Sequence, residues 1–154
     1  MRLQIASQLA IYALLELAAR PNHQLSVSEI GEKYGISNHH LAKVMNVLGR
    51  AKLVRSVRGV GGGYQFVGNP RRTTLLDVIE LFEGLGAGGF DRRTPGVPGK
   101  ATGEGRALSD VLREIDEIAR ATLGSITIAT MLKTVERHKL GRAKRANAAN
   151  SGER

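Results

Sequence analysis

Two short helices joined by a single glycine are predicted by residues 26–50, SVSEIGEKYGISNHHLAKVMNVLGR. The first four residues form a capping box, in which the Ser26 hydroxyl accepts from the Glu29 amide and the Glu29 carboxylate accepts from the Ser26 amide. Gly35 tolerates the left-handed backbone that the turn requires. Ser37 then caps a second helix over residues 38–51, so the order is helix, turn, helix.

The second of these helices has one apolar face and one polar face. The apolar residues recur at the i, i+3, i+4, i+7 spacing of a buried stripe: Leu41, Val44, Met45 and Leu48. The opposite face carries polar and basic side chains: His39, Lys43, Asn46 and Arg50. Asn38 and His40 lie in the first turn. The helix therefore presents a polar surface while its other side enters a core.

A β-hairpin is predicted directly after this helix. Residues 53–57 and 64–67 are rich in β-branched and aromatic residues, which is typical of strands. The turn between them, residues 58–63, reads RGVGGG, and its glycines tolerate positive φ. Such a hairpin after a helix-turn-helix predicts a winged-helix domain, whose second helix enters the DNA major groove. We expect this domain to occupy residues 1–83, with flanking helices over residues 4–19 and 75–82, the latter capped by Thr74.

The charge distribution favours an anionic partner. The formal net charge is +9 and the isoelectric point is about 10.5. Residues 33–76 contain no acidic side chain and eight basic ones: Lys33, Lys43, Arg50, Lys52, Arg55, Arg58, Arg71 and Arg72. Lysine and arginine neutralise phosphates and release condensed counterions, so double-stranded DNA is the predicted partner. Basic proteins also bind membranes, but no apolar stretch is long enough to span one, and we expect a cytoplasmic protein.

The predicted DNA contacts divide into base reading and backbone binding. Asparagine pairs with adenine and lysine donates to guanine, so the base-reading set is Asn38, His39, His40, Lys43 and Asn46. The backbone-binding set is Arg50, Arg55, Arg58, Gly59 and Arg72, and Arg58 at the tip of the wing suits a narrow minor groove. For each residue the alternative is contact with phosphate or solvent alone. For the whole domain the alternative is a winged helix that binds protein.

The remaining chain divides into a loop, a helical segment and a tail. Residues 84–105 contain eight glycines and two prolines and predict a flexible loop. Residues 106–135 predict a long amphipathic helix over 106–123 and a short terminal helix. The long helix carries one apolar stripe: Leu108, Val111, Leu112, Ile115, Ile118 and Ala119. Two copies packed along this stripe would form a homodimer and place two recognition helices on a palindrome, whereas the alternative is packing onto its own domain.

The tail, residues 136–154, is basic and poor in core-forming residues, which predicts disorder. It would either add phosphate contacts or serve only as a solubilising end. The chain contains no cysteine, so disulfides, thiolate metal sites and cysteine nucleophiles are excluded. Neither a catalytic constellation nor a phosphate-binding loop nor a zinc motif is recognisable. We therefore expect neither an enzyme nor a resident metal or cofactor.

Residues 36–41, ISNHHL, and 58–64, RGVGGGY, resemble the Rrf2-type winged-helix transcriptional regulators. The resemblance covers nearly all of residues 1–135, including 75–79 and 125–129. It implies a homodimeric transcription factor whose long helix crosses to the partner subunit. Many members hold an iron–sulfur cluster through three cysteines in the loop before that helix. The corresponding loop here has none, so the chain resembles members that lack the cluster and respond to a regulatory protein or another signal.

Together these features predict a repressor that binds a palindromic operator as a homodimer without an iron–sulfur cluster. Two other functions fit the same residues. One is an architectural nucleic-acid-binding protein without operator preference. The other is a regulatory subunit that acts through a partner enzyme.

Overall fold

The computed structural model describes residues 3–83, 99 and 101–151, with side chains described as far as residue 145. Within these residues the fold is mainly helical, with a single two-stranded hairpin. The elements are α1 (Ile5–Ala18), α2 (Val27–Tyr34), α3 (Asn38–Arg50), β1 (Val54–Val57), β2 (Gly63–Phe66), α4 (Leu75–Glu83), α5 (Gly103–Ser125) and α6 (Ile128–Ser151). The predicted fold class, a winged helix with a long helix after it, is confirmed.

Helix α1 lies at the centre of the core. It packs against α3, α4, β2 and α6, and its buried side chains include Leu9, Leu14 and Leu17. Helix α3 contributes the predicted apolar face, and all four of its members are buried: Leu41, Val44, Met45 and Leu48. Each large apolar side chain buried in this way stabilises the fold by about 1.5–3 kcal/mol relative to exposure. This burial fixes the rotation of α3 and therefore which of its residues face outward.

Local hydrogen bonds set the helix starts as predicted. The Glu29 amide donates to Ser26 Oγ at 3.1 Å and the Ser26 amide donates to Glu29 Oε2 at 2.7 Å. Thr74 and Asp77 form the same reciprocal pair before α4, at 3.2 Å and 2.8 Å. Gly35 ends α2 with φ of 65°. The helix-turn-helix boundaries are thus determined by side chains no more than three residues apart.

An aromatic and ionic cluster joins α1 to α2. The rings of Tyr12 and Tyr34 stack with centroids 5.0 Å apart, and Tyr34 Oη donates to Glu16 Oε1 at 2.7 Å. Lys33 forms an ion pair with the same carboxylate. Partial burial acts to raise the pKa of Glu16, but hydrogen bonds from Lys33 and Tyr34 outweigh it, and the pKa is lowered overall. The carboxylate therefore stays ionised at neutral pH and holds the two helices together.

Helix α1 is also fastened to the end of α4. Glu83 Oε1 accepts from the Gln4 amide and from Ser7 Oγ, each at 2.7 Å. Ser7 is fully buried, so this bond satisfies a hydroxyl that would otherwise be costly to bury. The start of α1 and the last residue before the segment 84–98 are thereby joined.

The wing is an antiparallel hairpin with Val54 opposite Phe66 and Val57 opposite Gly63. A third segment joins it, because the Leu25 amide donates to the Tyr64 carbonyl at 3.0 Å and the Tyr64 amide donates to the Leu25 carbonyl at 2.8 Å. At Gly63 a Cβ atom would overlap the Leu25 carbonyl group. Leu25, the residue before the α2 cap, therefore pairs directly with the wing, and glycine at position 63 is required for that close approach.

The C-terminal part departs from the sequence prediction in two places. Helix α5 starts at Gly103, inside the predicted loop, because Thr102 Oγ1 accepts from the Gly105 amide at 3.1 Å and caps it. The rest of that loop, residues 84–98 and Lys100, lies outside the described residues. Residues 136–151 of the predicted disordered tail are instead helical, since α6 continues to Ser151, and residues 152–154 lie outside the described residues. Alanine, lysine and arginine are strong helix formers and no proline interrupts them, whereas the prediction relied on the lack of core residues.

Candidate nucleic-acid interface

The polar face of α3 is exposed as predicted. His39, His40, Lys43, Asn46 and Arg50 all have exposed side chains. His39, Lys43, Asn46 and Arg50 follow one another at spacings of four, three and four residues, so they form a single row along the helix. The row runs the length of α3 opposite the buried stripe. A helix of this kind can enter a groove without disturbing its own packing.

Asn38 has a partner within the fold. Its Nδ2 donates to Ser28 Oγ at 3.0 Å, which links the first turn of α3 to α2. The residue remains exposed, but this bond gives it a structural role at the helix-turn-helix corner. The sequence predicted Asn38 to be a base-reading residue because it lies in the first turn of α3. The bond to Ser28, ten positions away, could not be inferred from that position.

Arg55 is held in place by a residue that the sequence did not single out. Arg55 and Gln65 are directly opposite in the hairpin, and Gln65 Oε1 accepts from Arg55 Nε at 3.1 Å and from Nη2 at 2.7 Å. A neutral amide leaves the positive charge of the guanidinium intact. Nη1 and the second hydrogen of Nη2 are directed away from this bond and can bind a phosphate. The cross-strand register was the only signal that could have revealed Gln65.

The tip of the wing is exposed, and a hydrogen bond from Gln24 anchors it. Arg58 is exposed, Gly59 has φ of 111°, and the Val60 side chain is fully exposed. Gln24 Nε2 donates to the Gly61 carbonyl at 3.0 Å, so the segment before α2 contacts the wing a second time. Neither Gln24 nor Val60 was among the predicted residues. Val60 could have been noticed because it is an apolar residue between two turn glycines. No feature of the neighbouring sequence indicated that Gln24 contacts the wing.

Arg71 and Arg72 lie on the turn before α4 and both are exposed. Asn69 shapes this turn, because its Oδ1 accepts from the Arg71 amide at 2.9 Å and its carbonyl accepts from the Arg72 amide at 3.0 Å. The junction between α5 and α6 packs beside it, where the Ala129 amide donates to the Pro70 carbonyl at 2.8 Å. Arg72 is therefore presented from a rigid turn.

The charge of this surface is almost entirely unneutralised. Among the eight basic residues between 33 and 76, Lys33 alone pairs with a carboxylate, that of Glu16, within the described part of the chain. The charge of Lys33 is thus neutralised by Glu16. The remaining cations can bind an external anion, among them Lys43, Arg50, Arg58 and Arg72. The surface that carries α3 and the wing is chemically suited to a polyanion.

The apolar stripe of α5 is exposed in the single chain. Leu108, Val111, Leu112, Ile115 and Ile118 are between 37% and 60% exposed, and Ala119 is half-buried. On the outer face Arg113 bridges Asp110 and Glu117, each at 3.2 Å. Contact with the same chain is made near the C-terminal end, where Leu123 is buried and Arg120 pairs with Glu80 at 2.6 Å. Among the described residues, the stripe does not pack onto its own domain over most of its length.

A helix-turn-helix followed by an anchored hairpin defines the class of winged-helix proteins. The Rrf2 family model, described as an iron-dependent transcriptional regulator, matches residues 3–134. BadM of Rhodopseudomonas palustris, named as an HTH-type transcriptional regulator, is 47% identical over 151 residues, 98% of this chain and 94% of BadM. The chain therefore belongs to the Rrf2 family of transcriptional regulators, and these relatives are not enzymes.

Solved structures agree with this assignment. IscR of T. potens superposes with a TM-score of 0.71 at 27% identity, covering 90% of each chain. CymR of B. subtilis, titled a global cysteine regulator, superposes with a TM-score of 0.70 and covers 87% of this chain and 98% of its own. At 23% identity CymR supports the fold alone. No helix in the described residues is both long and apolar enough to cross a membrane.

The iron dependence in the family description does not fit the ligands of this chain. Iron–sulfur clusters are held mainly by cysteine thiolates, and the full sequence contains no cysteine. Within the described residues, histidine, aspartate and glutamate side chains form no group of three that could hold a metal ion. The residues present therefore do not fit a cluster of the usual kind.

Proposed function

We propose that this protein is a sequence-specific DNA-binding regulator that binds a palindromic operator as a homodimer and represses transcription in the cytoplasm. The observation that carries the proposal is the exposed row on α3 beside a wing whose cations have no carboxylate partners among the described residues. The signal it responds to would be a regulatory protein or a small ligand.

The proposed DNA-binding residues would divide into those that read bases and those that bind the phosphate backbone. Lys43, Asn46, His39 and His40 lie on the face that enters the major groove, where lysine reads guanine and asparagine reads adenine. Arg50, Arg55, Arg58 and Arg72 would bind backbone phosphates, with Gly59 allowing close approach of the wing. Gln65 would act as a positioning residue, because it fixes the Arg55 guanidinium through two hydrogen bonds.

The exposed stripe of α5 supports the homodimer. Five large apolar side chains on one helix face are a liability in water and become favourable when a second copy covers them. A two-fold axis through paired α5 helices would present two copies of α3 to one side of a duplex, and operator symmetry follows from protein symmetry.

Selection of bound duplexes from a random library, read at two salt concentrations, tests the proposal. A palindromic consensus is expected, with log affinity falling against log salt at a slope of roughly −5 to −9 for about six to ten neutralised phosphates. An architectural protein would yield no consensus. A regulatory subunit would retain a partner enzyme from cell extract while binding duplexes only weakly.

Arg72→Gln and Lys33→Gln form a matched pair for the same measurement. Arg72 has no carboxylate partner among the described residues, so its loss should reduce the magnitude of the slope by about one for each subunit. Lys33 is already paired with Glu16, so its loss should leave the slope unchanged. Equal salt slopes for the two variants would contradict the proposed backbone-binding role of Arg72.

A further inference from the structure

Helix α6 consists of two halves with different surroundings. In its first part Ile128 is buried, and Met131, Leu132 and Val135 pack against the core. From Glu136 to Arg145 every side chain is exposed. Residues 136–145 of the helix therefore leave the core and stand free in the single chain.

Beyond Glu136, this exposed part of α6 carries charge of one sign. Residues 137–152 contain no acidic residue, and the basic ones are Arg137, His138, Lys139, Arg142, Lys144 and Arg145. Lys139 and Arg142, and then Arg142 and Arg145, are three residues apart, where like charges on a helix repel each other. A bound anion would relieve the repulsion and stabilise this part of α6.

The surface favours a polyanion over a membrane. Leu140 is the only large apolar side chain between Glu136 and Arg145, so the segment lacks the apolar face with which interfacial helices enter lipid. At a rise of ~1.5 Å per residue, residues 137–145 extend over roughly 12 Å. Duplex DNA offers one charge per ~1.7 Å of axis, so several phosphates fall within that length.

We propose that residues 137–145 form a helical arm that binds phosphates of duplex DNA outside the contacts of α3 and the wing. This inference rests on the proposed function, since binding through α3 holds the arm near the duplex and raises its effective concentration there. The arm lies beyond residue 134, where the match to the family model ends. It would add affinity without adding sequence preference, because phosphates carry no base identity.

The test replaces Arg137, Lys139, Arg142, Lys144 and Arg145 with glutamine, which keeps helix propensity while removing charge. The matched control exchanges arginine for lysine and lysine for arginine at the same five positions and so retains the charge. Both are titrated in the full-length protein against the selected operator, with short and with long flanking duplex, over a range of salt. The magnitude of the salt slope should fall by at least about two in the glutamine variant and remain unchanged in the control.

Four outcomes separate the arm from the rest of the function. The proposal is supported if the glutamine variant shows a smaller salt slope and no longer binds the long-flanked duplex more tightly than the short one. The variant should still prefer the operator to a scrambled duplex as strongly as wild type does. If the glutamine variant has the same salt slope as wild type, the proposed arm is wrong. The proposed function still stands in that case, provided that wild-type protein prefers the operator. If wild-type protein binds no duplex at all, both proposals fail. Loss of binding to poly-glutamate with an unchanged duplex slope would identify an acidic polypeptide as the partner and overturn the proposal.

Discussion

The winged-helix half and helix α5 differ in how their apolar residues are covered. Residues 3–83 bury most of their apolar side chains in a core around α1, and the exposed ones are spread over α1, the wing region and α4: Ile5, Tyr12, Val60, Val67 and Leu81. Two reciprocal caps set the starts of α2 and α4, and a tyrosine stack and an ion pair join α1 to α2. Helix α5 leaves five large apolar side chains exposed along one face. In the proposed homodimer the first region would be complete within one chain, whereas the continuous stripe on the second would be covered by the partner subunit.

Replacing Ile115 with aspartate should break the second region without harming the first. The variant would place a charge in the paired α5 helices, at a cost of several kcal/mol. We expect a monomer by sedimentation, an unchanged helical signal and a collapse of operator affinity, because one half-site supplies only half of the contacts.

Arg106→Asp is the control for Ile115→Asp. It places a carboxylate on the opposite face of α5, where the residue is exposed, and should leave the dimer intact. An Ile115→Asp protein that still sediments as a dimer would show that the stripe is not the dimer contact.

Gly63→Ala should have the converse effect. The added Cβ would overlap the backbone of Leu25, which cannot move without displacing α2. We expect the free energy of unfolding to fall by about 1–3 kcal/mol, as for other overpacked positions, and operator affinity to fall with it. Denaturant unfolding and sedimentation together would detect a destabilised wing in an intact dimer.

Gly103→Ala provides the matched control for Gly63→Ala. At this position in the first turn of α5 the added Cβ has no atom within 4 Å, and alanine favours the helix. Its stability should therefore equal or exceed that of wild type. Equal stability of Gly63→Ala and wild type would mean that the Leu25 contact does not constrain the wing.

Lys43→Ala and Asn46→Ala should change recognition and leave both regions folded. Each is expected to cost about 1–3 kcal/mol of binding on the preferred operator and to relax one operator position. Arg72→Ala should weaken all duplexes alike. Retention of full discrimination by the Lys43 and Asn46 variants would contradict their assignment as base-reading residues.

Removal of iron should have no effect on either region. Protein purified without oxygen is expected to be colourless and free of stoichiometric iron, because the chain has no thiolate ligand. A chelator should leave operator affinity unchanged. One iron atom per subunit with visible absorption would contradict this expectation and show that oxygen and nitrogen ligands suffice.

Features determined by near neighbours could be predicted from the sequence. The Ser26–Glu29 box, the Gly35 turn and the buried face of α3 each depend on residues a few positions apart. The bonds from Gln24 to Gly61 and from Ser7 to Glu83 could not, since they join residues 37 and 76 positions apart. The prediction of disorder for residues 136–151 relied on their lack of core-forming residues. Residues with high helix propensity can form a helix without contributing to a core.

The pairing of Leu25 with Tyr64 has a consequence for local opening. Their reciprocal bonds of 3.0 Å and 2.8 Å join the residue before the α2 cap to the start of the second wing strand. Neither amide can be released to solvent unless the wing separates from that segment, so both should exchange hydrogen at one rate set by one opening event. The wing and the entrance to the helix-turn-helix would then behave as a single cooperative unit, although 38 residues of sequence lie between their two amides.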